Sequence, residues 1–169
     1  MARSVFLCGF MGCGKSTIGK KLAQRLGYSF FDLDDEIVKN ENKSIPEIFA
    51  QDGEAHFRKV ERELLCKFSF IGDAVVATGG GALLDKTAGD IVKEKSVSIY
   101  IDTPFEICYD RIKDDDNRPI AKSSTKEELC DRYLYRKPLY IKNSTEIIDG
   151  IGTPDEIVDR IINYLNCNR

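Results

Sequence analysis

Gly9-Phe10-Met11-Gly12-Cys13-Gly14-Lys15-Ser16 fits GxxxxGK[ST] at every fixed position, and Thr17 follows. Before it, Ser4-Val5-Phe6-Leu7-Cys8 reads as a buried strand. After it, Ile18, Leu22 and Leu26 recur every four residues and give a helix one apolar face. Strand, glycine loop and helix form the setting in which this motif holds phosphate. Glycines let the backbone turn its amides inward around phosphate oxygens, and the helix N-terminus adds partial positive charge. Gly12, Cys13, Gly14, Lys15, Ser16 and Thr17 supply this cradle; Lys15 would neutralise the β- and γ-phosphates, and the Ser16 hydroxyl would ligate Mg²⁺. The thiol of Cys13 has no part in that chemistry. The loop specifies a nucleoside triphosphate and says nothing about the acceptor.

Outward from the loop, short apolar runs alternate with segments of helical period. The spacing predicts further strands at Ser29–Leu33, Ala74–Thr78, Ser96–Ile101 and Glu146–Asp149. Phe57, Val60, Leu64 and Phe68 line one helix face; Ile157, Ile161 and Leu165 line another. Thr103-Pro104-Phe105-Glu106, Thr153-Pro154-Asp155-Glu156 and Ser44-Ile45-Pro46-Glu47 carry the Ser/Thr–Glu spacing of a capping box. Ser124–Glu127 and Thr125–Glu128 offer two overlapping versions for a helix running toward Arg136. Buried strands separated by helices imply an α/β fold with a parallel sheet. Two stretches exceed simple alternation: a mostly helical insertion from Asp34, and a polar segment rich in aspartate around Asp114–Ser124. The aspartate run by itself reads as a solvated loop face, although long polar loops in compact domains often close over ligands.

The 169 residues suit one domain, and 25 Lys+Arg against 28 Asp+Glu leave a net charge of −3. That balance argues against a nucleic-acid partner. No apolar run approaches the ~20 residues of a membrane helix, and the amino terminus reads as the start of the fold with no leader. Six cysteines without CxxC or zinc-finger spacing fit a reducing, cytoplasmic setting, as small apolar fillers.

Asp32-Leu33-Asp34-Asp35 closes the second predicted strand, where period-two alternation would set Asp32 and Asp34 on one side. Carboxylates at such a strand end open into the ligand crevice of a parallel sheet. One can support a metal-bound water and the other can take a proton; alternatively, Asp34 or Asp35 caps the next helix. The later strand ends in Thr78-Gly79-Gly80-Gly81 with no carboxylate, which makes Asp32 the candidate metal support beside Ser16. The three glycines offer close backbone approach and amide donors, or else a flexible turn. Arg58, Arg118 and Arg136 are the arginines least explained by packing, and convergent guanidinium forks suit an anionic acceptor. His56 has no partner at ligand spacing and reads as structural.

Taken in order, Gly9–Thr17 with Ile18-Gly19, Phe31-Asp32-Leu33-Asp34, Phe57-Arg58-Lys59-Val60-Glu61, Thr78-Gly79-Gly80-Gly81, Arg118-Pro119 and Arg136-Lys137-Pro138-Leu139-Tyr140 resemble the shikimate kinase family over nearly the whole chain. The glycine loop alone is shared with a very large superfamily; the ordered set is far more specific. The resemblance implies a three-layer P-loop fold with a five-stranded parallel sheet in order 2-3-1-4-5. It also implies a substrate-binding insertion at about 34–62 and a lid at about 112–124. The implied reaction is ATP- and Mg²⁺-dependent phosphorylation of the shikimate 3-hydroxyl by a cytoplasmic monomer, on the route to aromatic amino acids. Asp34, Arg58, Gly79, Gly80, Gly81 and Arg136 match acceptor-binding positions, with Asp34 as candidate base. Arg118 matches the lid arginine that closes on the phosphates; Arg111 and Pro154 match positions beside adenine. A different small-metabolite kinase, or a nucleotide-binding relative without activity, is the rival reading.

Overall fold

The computed structural model describes residues 3–114 and 123–168. Five strands form one parallel sheet: β1 (Val5–Cys8), β2 (Ser29–Asp32), β3 (Ala74–Ala77), β4 (Val97–Asp102) and β5 (Glu146–Asp149), in the order β2-β3-β1-β4-β5. The expected topology is thus the observed one. β1 lies at the centre, with Val5 opposite Val75 on one side and Val97 on the other. Every residue of β1 and β3 is buried, as a strand covered on both faces must be.

Helices α1 (Lys15–Leu26), α2 (Leu33–Glu41), α3 (Ile45–Gln51), α4 (Gly53–Ile71), α5 (Lys86–Lys95), α6 (Phe105–Ile112), α7 (Lys126–Asn143) and α8 (Pro154–Cys167) flank the sheet. α1 packs on α8, α4 on α5, and α5 on α7. The apolar faces read from periodicity are the ones buried: Ile18 and Leu22; Phe57, Val60, Leu64 and Phe68; Ile157 and Ile161. α2, α3 and α4 occupy the whole interval between β2 and β3. Among the described residues no helix is long and apolar enough to cross a membrane.

Capping boxes form at Ser44/Glu47, Thr125/Glu128 and Thr153/Glu156, each stabilising its helix start by about 1 kcal/mol. The box expected at Thr103/Glu106 does not form. Pro104 is the N-cap instead, because the Thr103 N–H already donates to the Ile101 carbonyl at 3.2 Å and leaves Glu106 nothing to reach back to. Glu106 pairs with Lys126 at 2.7 Å. α7 runs toward Arg136 as expected and continues through Pro138 to Asn143. A proline in a helix strips the carbonyl four residues earlier of its donor. Here that carbonyl belongs to Leu134, an exposed residue where water can serve.

Candidate active site

β1 ends at Cys8 and α1 begins at Lys15, so the glycine loop is the whole connection between them. Gly12 and Gly14 take φ of 82° and 96°, which only glycine adopts without strain. A Cβ on Gly12 would also sit 2.6 Å from the Cys108 carbonyl oxygen of α6. Arg111, also on α6, donates to the Gly12 carbonyl at 3.0 Å. Lys15 Nζ donates to the carbonyls of Gly9 and Phe10 at 2.8 and 3.1 Å, folded over the loop it belongs to. The Cys13 side chain is 1% exposed and is a filler beneath that loop.

The acidic pair is arranged differently from the alternation argument. The strand ends at Asp32, and Leu33 opens α2. Asp32 is the N-cap: its Oδ1 accepts from the Asp34 N–H at 3.1 Å. That bond bends the chain into a helix one residue earlier than the sequence pattern suggests, and Asp34 reaches the site from the first turn of α2. Asp32 Oδ2 accepts from the Ser16 hydroxyl at 2.8 Å, which joins β2 to the phosphate loop. Burial raises the Asp34 pKa above its ordinary value, and the neighbouring Asp32 charge raises it further. Lys15 and Arg58 pull it back only in part.

The turn after β3 explains its glycines. Each faces a different charged side chain. A Cβ on Gly79 would lie 2.8 Å from Asp34 Oδ1, one on Gly80 3.2 Å from an Arg136 guanidinium nitrogen, and one on Gly81 3.0 Å from both terminal nitrogens of Arg58. α2, α7 and α4 therefore bring a carboxylate and two guanidinium groups to three consecutive residues, and any larger residue there would push them away. Arg136 also donates to the Gly80 carbonyl at 3.3 Å. Arg58 is held from behind by Glu61, 2.8 Å away and 3% exposed, with Glu54 at 3.5 Å on its outer side. Burial raises the Glu61 pKa despite that arginine.

A cleft of about 360 Å³ opens between loop and turn. Of the sequence-predicted residues, Gly12, Gly14, Lys15, Ser16, Thr17, Asp32, Asp34, Gly79, Gly80 and Arg111 line it. Gly81, Arg58 and Arg136 stand at the adjoining turn and are not among the residues that line the cleft. Pro154 begins α8 and does not line the cleft. Arg118 and most of the lid segment lie outside the described residues. Met11, Thr78 and Ile112 line the cleft without having been singled out for it. Glu61 had a legible signal: an acidic residue on the apolar face of α4, three positions after Arg58.

The donor set suits Mg²⁺ with a triphosphate. Ser16 and Asp32 offer hard oxygen ligands side by side. Among the described residues no cluster of three His, Cys, Asp or Glu side chains could enclose a metal. Mg²⁺ fits such a site because it takes one or two protein oxygens and completes its shell with phosphate and water.

A family model described as shikimate kinase matches residues 11–166. The chain belongs to the shikimate kinase family. It is 40% identical to the shikimate kinase of Persephonella marina over 160 residues, covering 95% of this chain and 97% of that one. Against the shikimate kinase of Aquifex aeolicus it is 37% identical over 164 residues, covering 97% and 96%. A solved structure of shikimate kinase from Acinetobacter baumannii, in complex with shikimate, superposes with a TM-score of 0.91 at 32% identity, over 100% of this chain and 96% of that one. As a member of the shikimate kinase family, the chain is a kinase that uses ATP with Mg²⁺.

Proposed function

We propose that this protein transfers the γ-phosphoryl group of ATP to the 3-hydroxyl of shikimate, giving shikimate 3-phosphate and ADP on the route to aromatic amino acids. The observation that carries this reading is the convergence of Asp34, Arg136 and Arg58 on Gly79, Gly80 and Gly81 at the edge of the phosphate-loop cleft. Two guanidinium groups bind one small carboxylate by charge-assisted, bidentate hydrogen bonds. With that carboxylate fixed, Asp34 receives the hydrogen bond of the reacting hydroxyl and takes its proton as the oxygen bonds to phosphorus and ADP leaves. Ser16 and Asp32 would hold Mg²⁺, which when bound screens the phosphate charge. Lys15 adds positive charge at the same oxygens, and the glycine-loop amides cradle them. Arg118 is assigned to the closing lid and Arg111 with Pro154 to the adenine end, on family likeness. The free thiols, Cys8, Cys13 and Cys108 among them, suit our assignment to the reducing cytoplasm; the monomer is assigned on family likeness.

The direct test is coupled ADP release by purified protein with Mg-ATP against a panel of acceptors. Shikimate should support turnover, gluconate and nucleoside monophosphates should not, and chelation of the metal should stop the reaction. Turnover on another panel member but not on shikimate refutes the assignment.

Asp34 supplies a second prediction. Asp34→Asn should lower kcat about a thousandfold, within the range of a lost general base. In the wild type, kcat/KM should fall on the acid side with an inflection above the usual carboxylate range, since burial raises this pKa. Stability should move the other way. A raised carboxylate pKa means that the folded state pays for the charge at neutral pH, so the Asn variant should melt higher there. That gain belongs above the folded pKa and disappears as pH falls toward the unfolded value of 3.8. Differential scanning calorimetry at pH 7 and pH 4 reads both halves; a lower melting temperature for Asp34→Asn at pH 7 contradicts it.

A further inference from the structure

One part of the sequence stays unexplained by the reaction above: the end of the Arg136-Lys137-Pro138-Leu139-Tyr140 motif. On α7, residues 136, 140 and 143 follow a spacing of four and three, which puts them on one face. That face bonds to three carbonyls of the segment after β3, those of Gly80, Leu83 and Leu84. Arg136 donates to Gly80 O at 3.3 Å, the Tyr140 hydroxyl donates to the same oxygen, and Asn143 Nδ2 donates to Leu83 O at 2.8 Å and Leu84 O at 3.3 Å. The carbonyls of Gly79 and Gly81 are used inside the turn, by the N–H groups of Ala82 and Leu84. The Gly80 carbonyl instead bonds across to α7.

We propose that Tyr140 is a positioning residue for the acceptor site, acting through the Gly80 carbonyl that it shares with Arg136. The proposal rests on the shikimate reading above and deepens it. A peptide unit is planar and trans, so fixing the Gly80 carbonyl also fixes the Gly81 N–H, which points the opposite way within the same plane. The same hydroxyl occupies one lone pair of the oxygen and confines Arg136 to the other, which sets where the guanidinium stands. Without it, one carbonyl and one guanidinium are free to rearrange together, and both stand at the turn to which the acceptor reading assigns the substrate carboxylate.

The hydroxyl is well placed to do this. Tyr140 is 1% exposed. Its ring stacks on Tyr100 of β4 at 5.3 Å between centroids and 26° between planes. The central sheet thus sets the height of the Tyr140 ring. Burial also raises the Tyr140 pKa far above the usual phenol value, which keeps the hydroxyl a donor at any working pH.

Steady-state kinetics and melting curves for Tyr140→Phe test the idea, because Phe keeps the ring and its stack and deletes only the hydroxyl. The KM for shikimate should rise about tenfold, in line with one lost hydrogen bond near 1.4 kcal/mol. The KM for ATP should stay within about twofold and kcat within about threefold. Arg136→Lys and Tyr140→Phe combined should lose less than the sum of the two, as expected for groups that share one acceptor. Tyr100→Phe makes the same deletion one ring away from the turn and should leave the KM for shikimate unchanged. An unchanged KM for shikimate in Tyr140→Phe, or equal rises in both KM values, overturns the positioning role. A wild-type protein that leaves shikimate unphosphorylated overturns the function reading and this inference with it, whereas an active wild type with an indifferent Tyr140→Phe overturns the inference alone.

Discussion

Lys15→Ala should lower kcat at least a thousandfold while the KM for shikimate stays within a few-fold of wild type. The reasoning starts from the transition state. In phosphoryl transfer, charge spreads over the equatorial oxygens and there is little covalent chemistry for the protein to perform, so fixed positive charge does much of the catalysis. Lys15 is the cation built into the loop, and its Nζ already sits among the Gly9 and Phe10 carbonyls at 2.8 and 3.1 Å. A triphosphate exchanges these neutral acceptors for charged ones, a stronger partnership that becomes stronger still as the transition state forms. Removing one preorganised donor from such a site costs about a hundred- to a thousandfold, and a full charge lies at or beyond the upper end. In the proposed reading the acceptor is held from α4 and α7, and that hold is left intact. Lys15→Met separates charge from packing, since it keeps most of the stem; it should be as slow as Ala. A Met variant that recovers to within tenfold of wild type would show that the stem, not the charge, is what matters.

Local signals carried the phosphate loop, and with it the fold. Its determinants lie within nine consecutive residues, and the flanking periodicities decide strand and helix without help from elsewhere. The same holds for the capping boxes at Ser44, Thr125 and Thr153, where the partners are three residues apart. Thr103 shows the limit: the spacing is right, but the donor that a capping glutamate needs is already bonded within the chain's own turn, which the spacing does not reveal. Asp32 and Asp34 show another. Both line the cleft that the strand end predicts, yet their arrangement depends on where β2 gives way to α2, and one side-chain hydrogen bond moves that boundary. The three glycines announce close approach, but the identity of what approaches each is tertiary. Asp34, Arg58 and Arg136 come from three helices far apart in sequence, and only the packed sheet brings them to Gly79, Gly81 and Gly80. Glu61 was visible as a charge on an apolar helix face, but a buried carboxylate acquires meaning only with its partner in place.

That partnership makes Arg58→Ala the variant with two separable losses. The first is binding. Truncating one member of a charge-assisted clamp on a carboxylate costs several kcal/mol, so the KM for shikimate should rise about a hundredfold, with kcat changed much less. The second is stability. Arg58 is the counter-charge of Glu61, whose side chain is 4% exposed, and burial already raises the Glu61 pKa with the arginine present. Deleting one partner of a buried pair is costly because the other charge stays behind. With the arginine itself partly exposed, about 2–3 kcal/mol is the reasonable scale, or roughly 5–10 °C in Tm for a chain of this length. The sign with pH follows from the carboxylate. The penalty is full where unpaired Glu61 is charged, above its raised folded pKa, and fades as pH falls toward the unfolded value of 4.5. The deficit in Tm should therefore be larger at pH 8 than at pH 5. Adding Glu61→Gln to Arg58→Ala removes the stranded charge and should restore most of the Tm at pH 8, yet leave the KM for shikimate as high as in Arg58→Ala. A double variant that regained both would mean that Arg58 serves the fold alone and that the acceptor carboxylate is held elsewhere.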